Sequence, residues 1–246
     1  MTEEMADGGA PGFPGIWRVM AKNPGPMTLT GTNTYLYGSE PCWVIDPGPE
    51  DERHIDAVRE AIDERGGAAG VLLTHSHADH TGGVKLLGID PVPVEDGDVN
   101  GGLEAVSTPG HTTDHFCYFT ADGACFSGDL ILGWGSTYVP PDGGSLAAYM
   151  RSLMLIRSRD PELICPGHGP WITDPSNKVL EYIEHRDARE RGLLSALERG
   201  ERSRMNLLAE VWSDVPEQLL PAANLVMEAH LEKLEAEGRL PNDLAE

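Results

Sequence analysis

THSHADHTGG, residues 74–83, places His75, His77, Asp79 and His80 within six positions of a 246-residue chain that has nine histidines in all. It runs on from Gly70-Val71-Leu72-Leu73, a short apolar stretch of the kind that makes a buried strand. A strand with a two-residue period would point His75 and His77 the same way, so that the pair grips one metal ion. Asp79 and His80 follow where the chain turns, and would face a second position beside the first. Four polar donors at the end of a buried strand are costly without a partner, and a cation supplies one.

Two metal ions about 3.5–4 Å apart can share a hydroxide as nucleophile, but they need more than four donors. Three further candidates stand in tight turns after apolar runs. His111 lies in Thr108-Pro109-Gly110-His111-Thr112, Asp129 in Phe126-Ser127-Gly128-Asp129, and His168 in Cys165-Pro166-Gly167-His168-Gly169. A lone histidine in such a turn is more often a surface or capping residue; the dense cluster is what gives these three a role. The seven then divide into His75, His77 and His111 on one ion and Asp79, His80 and His168 on the other, with Asp129 bridging. Imidazole and carboxylate donors favour zinc, so two Zn2+ per chain are expected, with iron or manganese as alternatives. Asp79 is in addition the catalytic candidate, orienting the nucleophile and carrying a proton to the leaving group.

The other polar residues have plainer readings. His115, four residues after His111, either supports the donors or faces substrate. Residues 133–141 follow Asp129 directly and should form a lip of the cleft, from which Trp134 and Tyr138 could meet substrate or simply anchor the loop. His54, His185 and His230 fall in helical segments and read as solvated or packed. Asp114 reads as a turn residue. Cys42, Cys117, Cys125 and Cys165 form no C-x-x-C pair and are expected as buried free thiols, with Cys165 a redundant ligand candidate.

Along the chain, strand-like runs are expected at residues 32–37, 42–45, 70–73, 92–94, 103–107, 115–120, 124–127 and 162–165, with glycine or proline at most joints. Helical spacing appears at 54–65 and 145–157. From residue 177 the texture becomes almost continuous helix, at 177–198, 204–212 and 216–237, the last with Pro221 near its start. The mixture predicts an α/β layered fold followed by a small helical unit. No apolar run is long enough to span a membrane. The acidic, glycine-rich N-terminus lacks the apolar core of a secretory signal, so a cytoplasmic protein is expected. A formal charge of −22 repels nucleic acid at long range.

These residues match a known pattern. The chain resembles the metallo-beta-lactamase fold superfamily over residues 15–175, whose signature stands here as His75-Ser76-His77-Ala78-Asp79-His80, followed in order by His111, Asp129 and His168. Within it, the chain is similar to the beta-lactamase-like protein 2 group, through Gly31-Thr32-Asn33-Thr34-Tyr35-Leu36, the turns around His111 and His168, and Phe126-Ser127-Gly128-Asp129-Leu130-Ile131-Leu132-Gly133. Residues 231–239 look like the end of that group's winged-helix-like C-terminal domain. The resemblance implies a four-layer αββα sandwich with a dinuclear site at one edge of the sheets, and a winged-helix-like subdomain. The expected division is a loose arm over 1–15, a catalytic domain over 16–185 and the helical subdomain over 186–246.

Animal members of the group are endoribonucleases acting on single-stranded RNA, and many bacterial relatives are described as hydrolases. Residues 185–246 of this chain carry eight basic against thirteen acidic residues, whereas a nucleic-acid module normally shows a basic face. The subdomain therefore reads as a packing or dimerisation element or a wall of the substrate cleft. The expected function is hydrolysis of an ester, thioester, lactone or related carbonyl substrate, a small molecule, by a dinuclear zinc-bound hydroxide. An endoribonuclease and a mononuclear iron persulfide dioxygenase are the alternatives. RNA is disfavoured by charge, no membrane partner is expected, and a homodimer stays open.

Overall fold

The computed structural model describes residues 6–244. Strands β1 (Gly8–Ala10), β2 (Phe13–Met20), β3 (Asn33–Tyr37), β4 (Cys42–Ile45) and β5 (Ala68–Leu72) form one sheet in that order. Strands β6 (Val99–Asn100), β7 (Leu103–Ser107), β8 (Phe116–Thr120), β9 (Ala124–Gly128) and β10 (Leu163–Pro166) form a second, ordered β10-β9-β8-β7-β6. Pairing is antiparallel except for β4 with β5 and β9 with β10, which run parallel.

Strand alternation builds the layers. Tyr35, Ile45 and Leu72 face inward onto Leu103, Tyr118, Phe126 and Leu163 of the second sheet. Their neighbours Leu36, Val44 and Val71 face outward onto Ile55, Val58 and Ile62 of helix α1 (Glu52–Asp63). The second sheet does the same with Cys117, Cys125 and Ile164, which meet Tyr149, Leu153 and Ile156 of helix α4 (Leu146–Arg159) and Val179 and Tyr182 of α5 (Pro175–Glu198). A side chain on a pleated strand has only two directions, so each sheet buries both faces and the αββα sandwich follows.

The caps fit the sequence: Asp51 accepts from the Arg53 amide at the start of α1, and Ser145 from the Ala148 amide at the start of α4. Asp174 caps α5 with Pro175 in its first turn. Helices α6 (Arg204–Val211) and α7 (Leu220–Ala236) pack on the end of α5 around Leu197, Leu207, Trp212, Met227 and Leu234. Pro221 sits in the first turn of α7 after a single 3-10 turn at Glu217–Leu219. There its missing N–H costs nothing, and the helix expected over 216–237 is divided near its start into this turn and α7.

Three expectations need correction. Residues 8–15 are not a loose arm: they form β1 and the start of β2, with Gly8 opposite Arg18; residues 1–5 of the expected arm lie outside the described residues. Residues 92–94 form no strand, being tied to the first sheet only where Val92 N donates to the Val71 carbonyl, beside a bridge from Val71 to Pro91. The division at 185/186 falls inside the continuous helix α5, so the two units share an element. All four cysteines are free and buried. No helix among the described residues is long and apolar enough to cross a membrane.

Candidate metal centre

Each donor stands just beyond the end of a strand, on one edge of the sandwich. The THSHADH stretch follows β5, Asp129 follows β9, His168 follows β10, and His111 lies between β7 and β8. The parallel pairs are what bring these chain ends together: with Ile45 opposite Leu72 and Phe126 opposite Cys165, four strands finish at the same edge. The strand assumed for His75 and His77 stops earlier, at Leu72. Both histidines stand in the loop beyond it, and Asp79 and His80 are on a one-turn helix, α2 (Ala78–Thr81), which a second short helix, α3 (Val84–Leu87), follows. The loop achieves what the pleat was expected to do, since His75 Nε2 and His77 Nδ1 lie 3.0 Å apart.

The donor atoms fall into two groups, His75, His77, His111 and Asp129, and Asp79, His80 and His168, each set lying within 4.8 Å of one another. His111 Nε2 is 3.1 Å from His77 Nδ1, and His80 Nε2 is 3.3 Å from His168 Nε2. Asp129 reaches both groups. Its Oδ2 is 3.7 Å from His111 Nε2, while Oδ1 is 3.4 Å from His80 Nε2 and 3.3 Å from His168 Nε2.

The hydrogen bonds behind the rings fix which nitrogen faces the centre. His111 Nδ1 donates to the Tyr138 carbonyl at 2.6 Å and His168 Nδ1 to the Gly31 carbonyl at 3.2 Å. His80 Nδ1 donates to Asp46 Oδ2 at 2.8 Å. Thr74 spends its hydroxyl proton on the same Asp46 oxygen, at 2.7 Å, so it can only accept from His75 Nδ1, at 3.0 Å. All four rings therefore turn Nε2 inward, and in its neutral form that tautomer offers its lone pair to a metal.

Converging donor atoms, and a buried Asp129 Oδ1 with no hydrogen-bond partner, are what a cation would satisfy. The donor set therefore fits a metal. The electrostatics divide the rings: His75 and His111 are held neutral, while His80 and His168 favour a proton that a cation would displace. Burial, with His80 nearby, pushes the His75 imidazole far down, and burial takes His111 to about 4, so both are neutral at pH 7. Burial also disfavours charge on His168, but Asp129 overrides it and raises the ring to about 9. His80 is likewise raised against its burial by Asp129 and Asp46, and Asp129 is held low against its burial by His168 and His80.

Asp46 has a functional place that its sequence setting, an Asp-Pro-Gly turn, does not signal. It sits directly after β4 at φ 52°, buried, and its Oδ1 accepts from the Thr74 amide at 2.7 Å. One carboxylate thus orients two rings, one in each group. Asparagine tolerates this backbone, yet its NH2 would face donors whichever way it turned. Asp46→Asn is expected to weaken metal binding ~10- to 100-fold, measured by competition titration against a chelator, and to lower the melting temperature of the metal-free protein as well, because buried donors lose their acceptor. Gly31-Thr32-Asn33-Thr34-Tyr35 has a similar service. The Asn33 amide donates to the Pro166 and Gly169 carbonyls at 2.9 Å each and the Tyr35 hydroxyl to Pro166 at 2.7 Å, which clamps the His168 turn.

The candidates for substrate contact separate. Trp134 and Tyr138 line a cleft of ≈ 530 Å³ whose floor is His77, Asp79, His111 and Asp129. His115 does not face that cleft. It is fully buried behind the site, stacked on His75 at 5.3 Å and bonded to Thr108 Oγ1 at 2.9 Å, so it braces a donor ring. Its Nε2 approaches Gly128, where a Cβ would come within 2.8 Å. Cys165 is buried between the sheets and is no ligand. His54 is bonded to Thr34, and His230 is buried against Trp212.

Comparison with known proteins gives the setting. The model of the metallo-beta-lactamase superfamily matches residues 27–88 and 91–168, and that of the beta-lactamase associated winged helix domain matches 203–243. The chain is 35% identical to a beta-lactamase-like protein 2 homolog of Drosophila melanogaster, over 92% of this chain and 89% of that protein. It is 36% identical to an atrochrysone carboxyl ACP thioesterase of Aspergillus fumigatus, over 78% of this chain and 67% of that one. Among solved structures it is similar to a metallo-beta-lactamase family protein of Thermus thermophilus, with a TM-score of 0.74 and 21% identity, covering 92% and 94% of the two chains.

Proposed function

Since the chain belongs to the metallo-beta-lactamase superfamily, a family of hydrolases, and has its associated winged helix, we propose that it is a two-metal hydrolase of an ester, thioester or lactone. The observation that carries this reading is the pair of donor groups joined by the two oxygens of Asp129. His75, His77, His111 and Asp129 would hold one ion, and Asp79, His80, His168 and Asp129 the other. Zinc suits these donors, with iron and manganese as the alternatives. Bound there, the ions supply Lewis acidity and a water acidic enough to ionise near neutral pH.

The chain's own groups do the rest. Asp79 lines the cleft with its side chain 29% exposed, so a substrate can approach it, whereas His75, His80 and His168 are shut behind. Its burial raises the carboxyl, but the bond from His168 and the nearby His80 outweigh that and keep it ionised at neutral pH. It can therefore orient the attacking water, take its proton and pass it to the leaving group. A carbonyl substrate is favoured over a phosphodiester by the charge of −22 and by the likeness to a thioesterase.

The test uses one preparation. Metal analysis should give two ions per chain, and a chelator should remove at least about 100-fold of the activity, restored by adding zinc back. Esters, thioesters and lactones should be hydrolysed while phosphodiesters and single-stranded RNA stay intact. RNA cleaved with every ester untouched would replace this function with a nuclease. One iron per chain would sink both.

A further inference from the structure

The cleft has two chemically different sides. Its floor is the donor groups; the opposite wall is apolar and comes mainly from the C-terminal unit, through Trp212, Val215, Leu219 and Val226. Met27, from the loop before β3, and Trp134 close its flanks. Among the described residues, only a few large apolar side chains are exposed, yet Met27 (50%), Trp134 (45%) and Leu219 (38%) gather around this one hollow. Apolar surface concentrated in a concavity marks a binding face.

The cations of the wall are already engaged. Arg189 makes a two-pronged pair with Asp214, at 2.7 and 2.9 Å, and bonds the Val211 carbonyl. Arg186 is buried and bonds Ser136 Oγ at 3.0 Å and the Thr137 carbonyl. His185, held to about 4 by burial and the neighbouring arginines, is uncharged at pH 7. Among the described residues lining the cleft, none offers an unpaired positive charge to a phosphate.

We propose that the turn at Glu217–Leu219 and helix α7 form an acyl-recognition wall, and that the substrate is an ester or thioester of a bulky apolar acid. Its carbonyl lies over His77, Asp79 and His111, and its acyl body rests against Trp134, Leu219 and Val226. The acyl C–O or C–S bond breaks and a C–O bond to water forms. One water proton passes to the alcohol or thiol and the other to solvent, the acid is released as carboxylate, and nothing is oxidised or reduced. A cleft of this volume takes a ligand of drug-like size, such as an acyl chain of roughly eight to twelve carbons or a fused-ring acid.

The proposal rests on the hydrolytic reading, and the experiment separates the two. On metal-loaded protein, kcat/KM for p-nitrophenyl esters from acetate to octanoate should rise about threefold per methylene until the wall is covered. Leu219→Ser and Trp134→Ser should each lower the octanoate-to-acetate ratio of kcat/KM about tenfold. Met205→Ser, at an exposed apolar residue outside the cleft, should leave the ratio unchanged. Decanoate binding, followed by tryptophan fluorescence, gives a readout without turnover. A flat ester series, or turnover without decanoate binding, overturns the acyl wall and leaves hydrolysis standing. Decanoate binding that Leu219→Ser weakens, with no ester turned over, retains the wall and removes the hydrolytic reading.

Discussion

Asp79→Asn is expected to lower kcat by two to four orders of magnitude while the protein, at saturating metal, still holds two ions per chain. The side chain stands where both roles meet. Its Oδ2 is 3.2 Å from His168 Nε2, 3.6 Å from His80 Nε2 and 3.5 Å from the Thr32 hydroxyl, yet it also lines the open cleft. Asparagine keeps the size and one carbonyl oxygen, so the geometry of the second donor group survives. What it loses is the ability to accept a proton at neutral pH. The fall should therefore appear in kcat and not in KM, because substrate binding uses other surfaces. Steady-state kinetics beside metal analysis of the same sample decides it. An unchanged kcat at full metal content would take the proton-carrying role away from Asp79.

Gly167→Ala is the second large effect, and it replaces no donor. A Cβ at this position would lie 2.5 Å from Asp129 Oδ1 and 2.7 Å from His80 Cε1, with the Gly128 backbone at 3.1 Å. The backbone cannot retreat, because Gly167 N donates to the Gly128 carbonyl and its own carbonyl accepts from Asn33 N, both at 2.8 Å. Gly167 is not in the left-handed region, so alanine brings no backbone strain. The added carbon must displace the bridging carboxylate and a ring of the second group. Activity is expected to drop about 100-fold or more, with metal content below two per chain and the circular dichroism of the fold unchanged. Full metal content and activity would show that the close packing around Asp129 is dispensable.

How much of this was readable beforehand depends on how local the cause is. The seven donors were legible because H-x-H-x-D-H is dense, and because each later donor sits in a Gly-containing turn after an apolar run. The strands of the core were legible from apolar runs, and the helices from their spacing and caps. The N-terminal strands were not. Residues 8–15 are rich in glycine and proline, and their pairing is decided by partners such as Arg18, whose guanidinium lies 4.6 Å over the ring of Trp171, far along the chain. Asp46 was missed for the same reason. It looks like any aspartate in a turn until β4 and β5 pair and bring Thr74 and His80 to it. His115 takes the first of its two readings: it stands just before β8, buried behind His75, and supports a donor ring without facing the cleft.

The shared helix α5 has a mechanical meaning. Arg186, on that helix, bonds Ser136 Oγ and the Thr137 carbonyl, and the next carbonyl, that of Tyr138, is the one that sets the His111 ring. Two bonds thus connect the rod that bears the C-terminal unit to a donor of the first group. Every donor precedes residue 169 and most of the apolar wall follows residue 185, so the tail is free to drift in sequence without touching the chemistry. It is not free to drift in position. A lineage could reshape what this cleft accepts by changing the wall, but discarding the tail would loosen the grip on His111.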